Sequence, residues 1–205
     1  MITTEQIANL LKTGKIANKI NQKAAVLIPL VKVNNQLHLL FQVRSKTLKW
    51  QPGDICFPGG RVELGDINPE YTAKRETCEE LGILPTQITI LGKLPKFIAN
   101  FAMTIYPFVG EIKSIDNLIL NPDEVEEVFT VPLNWFMNNR PSQATIEVGH
   151  KFGNDFPFHL LPNRPQKWQK RSEHLVYFYQ YKNYIIWGLT AQILNNFIHQ
   201  IHVVV

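Results

Sequence analysis

The chain has 205 residues, of which 45% are hydrophobic and 19% are charged, a composition that can bury a core and excludes an intrinsically disordered protein. Its 21 basic and 17 acidic residues leave a net charge of +4, which suits an anionic small-molecule substrate but lacks the concentrated basic run of nucleic-acid-binding proteins. No apolar stretch reaches the roughly 20 residues that span a bilayer and the N-terminus has no secretory signal, so we expect a cytoplasmic protein without a nucleic-acid or membrane partner.

In chain order, apolar spacing first predicts an amphipathic helix over residues 3–20, capped by Thr3 or Thr4. It would form an N-terminal extension (1–22) ahead of the main domain (23–205). The further predicted elements are strands over 24–33 and 37–43 joined by a turn at Asn34 and Asn35, a short strand over 54–57, a helix over 69–81, strands over 88–94 and 104–112, helical turns over 123–128 and 132–137, and a strand-to-helix segment from Ile186 to about Ile201. The pairing of residues 149–181 stays open. Because strands flank helices without strict alternation, we predict an α/β fold in which a mixed β-sheet lies between helices.

The segment from Asn68 to Ile83 has the clearest helix signals in the chain. Asn68 is a favourable N-cap, Pro69 fits the first helical position, and Gly82 suits a left-handed end. At about 100° per residue, Glu76, Glu79 and Glu80 share one stripe of this helix. The sequence therefore predicts a line of three carboxylates along one side of this helix.

The like charges of neighbouring glutamates in this stripe destabilise the helix by roughly 0.2–0.5 kcal/mol for each pair. Arg75 offsets only part of this repulsion. A divalent cation offsets the rest, and carboxylate oxygens with room for water suit Mg²⁺. A solvated acidic face has the same pattern, so the stripe alone leaves both interpretations open. Phe57 to Gly60 adds a strand that ends in a glycine bend, where backbone N–H groups can approach an anion. The combination of bend and stripe favours the metal site.

These residues resemble the Nudix box, which runs from a Gly through a Glu to Arg-Glu-apolar-x-Glu-Glu-x-Gly-apolar. Arg75, Glu76, Glu79 and Glu80 match it, as do Gly82 and Ile83, whereas Thr77 stands at an apolar position. Gly60 and Arg75 are one residue further apart than in the general pattern, and Asp66 best matches the first acidic position. The resemblance implies a Nudix-type α/β/α sandwich and a pyrophosphohydrolase.

The longer loop resembles the coenzyme A pyrophosphatase branch of that family. Residues 39–60 (LLFQVRSKTLKWQPGDICFPGG) are similar to the segment that precedes the box in this branch, with Lys49 where the branch usually has Arg and Gln51 where it often has His. Residues 107–110, 121–125, 131–133 and 186–191 extend the likeness. It implies hydrolysis of coenzyme A or its derivatives to 3′,5′-ADP and (acyl-)4′-phosphopantetheine.

The resemblance also implies roles for individual residues. The expected metal ligands for Mg²⁺ or Mn²⁺ are Glu76, Glu79 and Glu80, and the expected catalytic residues are Arg75, Glu76, Glu79 and Glu124. Arg75 is expected to orient a glutamate of the box, and Glu76 and Glu124 are alternative general bases, although Glu124 is equally a helix-start charge. The expected substrate-binding residues are Arg44, Lys49, Gly59 and Gly60. Aromatic residues that could line a pantetheine or adenine slot, or simply belong to the core, are Phe97, Phe101 and Trp187.

Two other functions remain open at this point. The first is a Nudix hydrolase of another nucleoside diphosphate derivative, such as NADH or ADP-ribose. The second is a catalytically silent Nudix-fold binding protein, against which the intact carboxylate stripe argues. The apolar C-terminal run from Ile201 to Val205 suggests a possible homodimer.

Overall fold

The computed structural model describes residues 3–12, 22–99, 103–161, 163–165 and 167–202. Its helices are α1 (Thr4–Lys12), α2 (Pro69–Leu81), α3 (Leu133–Asn138) and α4 (Gly188–His202). Its strands are β1 (Lys23–Val33), β2 (Gln36–Arg44), β3 (Ile55–Cys56), β4 (Gly59–Arg61), β5 (Ile88–Lys93), β6 (Phe97–Ala99), β7 (Met103–Ile112), β8 (Val125–Pro132), β9 (Ser142–His150), β10 (Gln169–Tyr181) and β11 (Tyr184–Trp187). Short 3₁₀ turns lie at Pro85–Gln87 and Phe158–Leu160.

A central sheet is built around the hairpin of β1 and β2. Asn34 and Asn35 have φ values of 49° and 65°, the left-handed backbone that a two-residue hairpin turn needs and that Asn adopts readily. β1 also runs parallel to β7, and the strand order is β3-β2-β1-β7-β5, with β4 on β1, β6 on β7 and β8 on β2. The sheet is therefore mixed, as predicted.

β1 changes partner along its length, and this change creates the site described below. Its C-terminal half, from Leu30 to Val33, pairs with β2. Its N-terminal half, from Ala24 to Val26, pairs with β4. The chain between β3 and β4 therefore bends sharply beside the middle of the sheet.

Helices cover both faces of this sheet. On one face, Ala73 and Leu81 of α2 pack with Leu27 and Leu40, all four fully buried. On the other face, Phe41 packs in a cluster that includes the side chains of α3, α4 and a second sheet. This arrangement confirms the predicted α/β/α layers.

The second sheet is antiparallel and has the order β11-β10-β9. It is formed mostly by the region whose pairing the sequence left open. One face of β10 and β11 carries Tyr179 and Ile186, which are 2% and 0% exposed and join the core beside α4. The small sheet is thereby fixed to the main domain.

One predicted element is wrong. Residues 123–128 were expected to form a helical turn, but the chain makes a short turn up to Glu124 and then enters β8. Phe129 and Val131 are buried at alternate positions, a strand periodicity, and β8 pairs with β2 along its length. The adjacent carboxylates hid this alternation in the sequence. Glu124 is therefore not a helix-start charge.

The predicted N-terminal helix is found from Thr4 to Lys12, and residues 13–20 lie outside the described residues. Thr3 caps it, because the N–H of Gln6 donates to Thr3 Oγ1 at 3.2 Å and the N–H of Thr3 donates to Gln6 Oε1 at 3.1 Å. A separate extension over 1–22 stays a prediction. In the described part of the chain, no helix combines the length and apolarity needed to cross a membrane.

Candidate active site

Helix α2 begins and ends at the residues that the sequence predicted. The N–H of Tyr71 donates to the Asn68 side chain at 2.8 Å, Pro69 opens the helix, and Gly82 closes it with φ 64°. Thr77 is fully buried where the Nudix pattern has an apolar residue. Its hydroxyl donates to the carbonyl of Ala73 at 2.6 Å, so this departure from the pattern leaves no unpaired polar group.

The glycine bend lies directly against this helix. The N–H of Gly59 donates to Glu80 Oε2 at 2.9 Å, so the anion that it meets is a carboxylate of the protein. A Cβ on Gly60 would lie 2.3 Å from Cδ of Glu76, which only a glycine avoids. The predicted contact between the glycine bend and the carboxylate stripe is confirmed. The sequence suggested that the N–H of Gly59 could bind substrate, but in the structure this N–H donates to Glu80.

The three glutamates of the stripe differ strongly in exposure. The side chain of Glu79 is 53% exposed and that of Glu76 is 15% exposed, whereas Glu80 is only 3% exposed. The exposed fraction of each side chain depends on its angular position around α2. Glu80 is the least exposed because it is nearest to the face of the helix that packs on the sheet. A sequence pattern that treats the three as equivalent therefore hides three different environments.

Glu80 is held by one bond at each carboxylate oxygen. In addition to the bond from Gly59, Gln42 Nε2 donates to Oε1 at 2.8 Å, and Gln42 is itself fully buried. Burial raises the pKa of Glu80 to about 8, and the negative charges of Glu124 and Glu76 add to the rise. Gln42 was not predicted to belong to the site, although a polar residue inside the apolar run 39–43 is a usable signal.

Arg75 is the centre of an ion-pair network beside these carboxylates. Its guanidinium donates to Asp66, to Glu76 Oε1 and to Glu79 Oε2, each at 2.9 Å. The structure therefore places Arg75 in contact with two glutamates of the box, and its role in orienting them stays a prediction. The Glu79 carboxylate that it engages lies at the helix surface.

Asp66 anchors this arginine from the loop before α2. Its side chain, 3% exposed, also accepts hydrogen bonds from the N–H of Glu63 at 2.9 Å and from Thr72 Oγ1 at 2.8 Å. Hydrogen bonding to Arg75 therefore holds the pKa of Asp66 far below its ordinary value. The aspartate that replaces the usual glutamate of the box thus fixes the position of Arg75.

This anchoring leads to a stability prediction. We expect Asp66→Asn to lower the free energy of unfolding at pH 7 by roughly 1.5–3 kcal/mol, because an amide cannot satisfy all these donors. The pKa of Asp66 is lower in the folded state, so its contribution is complete above about pH 5 and is lost progressively as the pH falls below that value. The difference between parent and variant should therefore shrink between pH 5 and pH 2.5, as measured by urea unfolding. The exposed Asp116→Asn is the control, with an expected change within about 0.5 kcal/mol, and an equal effect of both substitutions would contradict the prediction.

Glu124 reaches the same site from the turn before β8. Its negative charge raises the pKa of Glu76 and of Glu80, although burial is the larger cause for both. The turn is tied to the end of α2, because the N–H of Asn121 donates to the carbonyl of Glu80 at 3.0 Å. The structure thus brings Glu124 towards the buried carboxylates while Glu79 points to Arg75.

The donor set fits a divalent cation that has few protein ligands. Within the described ranges, no three Asp, Glu, His or Cys side chains are grouped so that they could enclose a metal ion by themselves. Mg²⁺ usually takes one or two carboxylates and completes its shell with water and phosphate oxygens. Burial and mutual repulsion disfavour the charged forms of Glu76 and Glu80, and a cation would favour them. The metal roles of Glu76, Glu79 and Glu80 stay predictions.

A cleft begins at the glycine bend. Next to Gly59 lies a cavity of about 210 Å³ whose walls include Arg44, Cys56 and Trp187. Burial raises the pKa of Cys56 to about 11, so this thiol stays protonated at neutral pH. Lys49 lies exposed in the loop between β2 and β3. Of the predicted substrate-binding side chains, the structure therefore places Arg44 in the cleft and Lys49 at the surface nearby.

The three aromatic residues considered for a ligand slot have different surroundings. Trp187 lines the cleft and is 41% exposed. Phe97 packs against the core, and Phe101 lies outside the described residues.

A mixed sheet between helices, with a glycine bend against a glutamate-bearing helix, defines a Nudix-type domain, and sequence comparison agrees. Residues 21–149 match the NUDIX domain family. The chain belongs to the Nudix family of pyrophosphohydrolases, whose members act on nucleoside diphosphate derivatives.

Several relatives share most of the domain. The chain is 34% identical to the peroxisomal coenzyme A diphosphatase NUDT7 of Mus musculus over 84% of this chain and 67% of that protein. It is 31% identical to the Nudix hydrolase NudL of Photorhabdus laumondii over 89% of this chain and 87% of that protein, and 38% identical to the peroxisomal coenzyme A diphosphatase ndx-8 of Caenorhabditis elegans over 58% and 52%. It spans only 53% and 56% of two Arabidopsis thaliana Nudix hydrolases.

Among solved structures, the NUDIX domain of Shewanella oneidensis NrtR, complexed with ADP ribose, aligns with a TM-score of 0.48. It is 19% identical, over 67% of this chain and 88% of that chain.

Proposed function

We propose that this protein hydrolyses the diphosphate bond of coenzyme A or its derivatives, releasing 3′,5′-ADP and (acyl-)4′-phosphopantetheine, with Mg²⁺ or Mn²⁺ as cofactor. The observation that carries the proposal is that the buried Glu80 and the largely buried Glu76 lie against the glycine bend, next to a cleft that contains Arg44. The choice of coenzyme A is supported by the resemblance of residues 39–60 to that branch and by the names of two relatives.

The proposed roles of the residues are supported by the contacts of Arg75 and by the position of Arg44 in the cleft. Glu76 and Glu80 would hold the cation, and Arg75, anchored by Asp66, would keep Glu76 in place. Glu124 accepts the proton of the attacking water, with Glu76 as the alternative base. A bound divalent cation would supply charge neutralisation at the diphosphate and activation of that water. Arg44 meets the negative charge of the substrate in the cleft.

A product analysis tests this function. The protein is incubated with coenzyme A and Mg²⁺, and the products are identified by mass spectrometry beside parallel incubations with NADH and ADP-ribose. We expect 3′,5′-ADP and phosphopantetheine, with kcat/KM for coenzyme A at least about tenfold above that for the other two. A preference for NADH or ADP-ribose would move the enzyme to another substrate class, and turnover of none would support a binding protein.

Gln42 offers a second test of the proposed metal site. We expect Gln42→Met to weaken activation by Mg²⁺ by roughly 10–100-fold, because the groups that orient metal ligands typically contribute that much. The KM for coenzyme A at saturating Mg²⁺ should stay near the parent value. Direct titration with Mn²⁺ by calorimetry gives a readout independent of turnover. Gln36→Met, at the exposed start of the same strand, is the control. Equal metal affinities of parent and Gln42→Met would contradict the role of this residue.

A further inference from the structure

A cavity separate from the cleft beside Gly59 lies at the other end of α4. It has a volume of about 480 Å³, and its walls come from α3, the loop between α3 and β9, β10 and the last turns of α4. The cleft, by contrast, is lined by the first turn of α4, from Gly188 to Thr190. Because α4 has 15 residues, its ends lie roughly 20 Å apart. Within the described ranges no residue lines both spaces, and we refer to the second one as the distal cavity.

The distal cavity has basic residues in its walls and, in the described part of the chain, no acidic ones. Its basic residues are Arg140, His199 and His202. The sequence extends this property beyond the walls, because residues 133–146 and 174–205 contain no Asp or Glu. Arg140 is exposed and makes no ion pair with any described residue. Its positive charge is therefore available to an anion that enters the cavity.

Part of the wall is aromatic and belongs to the core. Phe136 and Tyr179 are each 2% exposed, and their rings meet edge to face with centroids 5.3 Å apart. Tyr177 lines the same cavity and is half-buried. Aromatic side chains in such a wall are natural partners for the planar ring of a ligand.

Three amide side chains, from Asn139, Gln143 and Asn195, complete the polar part of the lining. Asn195 Oδ1 accepts a hydrogen bond from the Tyr179 hydroxyl at 3.2 Å, which leaves its NH₂ group as a donor. Asn139 Nδ2 donates to the carbonyl of Trp135 at 2.8 Å, which leaves its side-chain oxygen as an acceptor. The cavity therefore offers both kinds of group, as hydrogen bonding to the edge of a nucleobase requires.

An unpaired arginine, aromatic walls and amide groups lie together in a cavity whose volume falls in the range of small-molecule sites. We propose that the distal cavity binds a nucleoside monophosphate. The C-terminal end of a helix carries partial negative charge, so the phosphate belongs at Arg140, in the loop after α3, and the base lies among the aromatic and amide groups. The site does not depend on the proposed substrate, since a nucleoside monophosphate has no diphosphate bond to cut.

Calorimetric titration of the whole chain with AMP in EDTA tests the inference. We expect saturable binding with a dissociation constant below about 1 mM. AMP should bind at least about tenfold more tightly than adenosine or inorganic phosphate, because each of these lacks one half of the proposed contacts. If inorganic phosphate binds as tightly as AMP, the nucleotide assignment is overturned. If AMP shows no saturable binding, the site itself is refuted.

Matched arginine variants locate the bound nucleotide. Arg140→Gln should weaken AMP binding at least about tenfold, because it removes a charge-assisted hydrogen bond to the phosphate, with little change in Tm at this exposed position. Arg171→Gln removes the same charge from an exposed position of β10 outside the cavity and should leave AMP binding unchanged. Arg44→Gln alters the cleft beside Gly59 and should also leave it unchanged. If Arg44→Gln weakens AMP binding and Arg140→Gln does not, AMP binds in that cleft and the inference is overturned.

The outcomes also separate the distal cavity from the proposed function. If AMP binding depends on Arg140 but coenzyme A is not cleaved, the nucleotide site stands and the proposed function fails. If coenzyme A is cleaved but AMP does not bind, the reverse holds. If light scattering shows a dimer that Arg140→Gln dissociates while AMP does not bind the parent, a second copy of this chain covers the distal cavity and the inference is overturned.

Discussion

Glu80→Gln is expected to lower turnover of coenzyme A in the presence of Mg²⁺ by at least about 10²-fold while the protein stays folded. The carboxylate and the amide have the same shape, so the substitution removes a negative charge and little else. If Glu80 holds the cation, the loss of that charge weakens the positioning and charge neutralisation on which diphosphate cleavage depends. The measurement is kcat at saturating coenzyme A and Mg²⁺, together with calorimetric titration of the free protein with Mn²⁺.

The contacts of Glu80 explain why folding should survive. Its oxygens accept hydrogen bonds from Gln42 and from the N–H of Gly59. In the variant, the new amide oxygen can accept from Gly59, while its NH₂ group donates to Gln42 after the Gln42 amide turns over. Burial already disfavours the charged form of Glu80, so a neutral residue there should cost at most about 1 kcal/mol of stability.

The control is Glu70→Gln, which makes the same change at an exposed position in the first turn of the same helix. It should retain parental turnover within about twofold. Turnover of Glu80→Gln equal to that of the parent would refute the metal role of Glu80. Lost turnover with unchanged affinity for Mn²⁺ would instead assign Glu80 a role other than metal binding.

The sequence was most informative where the structure is local. The caps of α2, the hairpin turn at Asn34 and Asn35, and the glycine bend are each specified by a few neighbouring residues whose backbone preferences are strong. The carboxylate stripe follows from helical geometry alone. The helix that carries the chemistry was therefore predictable to within a residue at each end.

The sequence was least informative where distant residues decide the environment. β8 was mistaken for a helical turn because its pairing with β2 outweighs the local charges at its start. Gln42 and Glu80 are 38 residues apart in the chain, and no local rule connects them. The difference in exposure between Glu79 and Glu80 likewise depends on which face of α2 the sheet covers. The strands β9 and β10 of the small sheet are exposed at most positions. Their sequences therefore lack the alternation of apolar and polar residues from which strand pairing could be predicted.

Gly60→Ala is expected to lower kcat by roughly 10²-fold through displacement of Glu76, since a shift of about 1 Å in a catalytic group can have that effect. The new Cβ would lie 2.3–2.5 Å from the three carboxyl atoms of Glu76, and one of the two residues must move. Because those atoms are the end of a flexible side chain, Glu76 should swing away while the backbone stays in place. The Tm should therefore change by only a few degrees, whereas affinity for Mn²⁺ should fall with kcat.

Two neighbouring glycines provide the comparison that separates this effect from general damage. At Gly65, an added Cβ meets nothing within 4 Å, so Gly65→Ala should preserve both activity and Tm. At Gly59, the Cβ would lie 2.3 Å from the backbone oxygen of Ala25, and φ is 148°, so Gly59→Ala should lower the Tm markedly. If Gly60→Ala instead loses stability as Gly59→Ala does, the bend is needed for folding and not for the position of Glu76. If it retains full activity, Glu76 does not need its observed position against the bend, and the proposed pair of metal ligands is wrong.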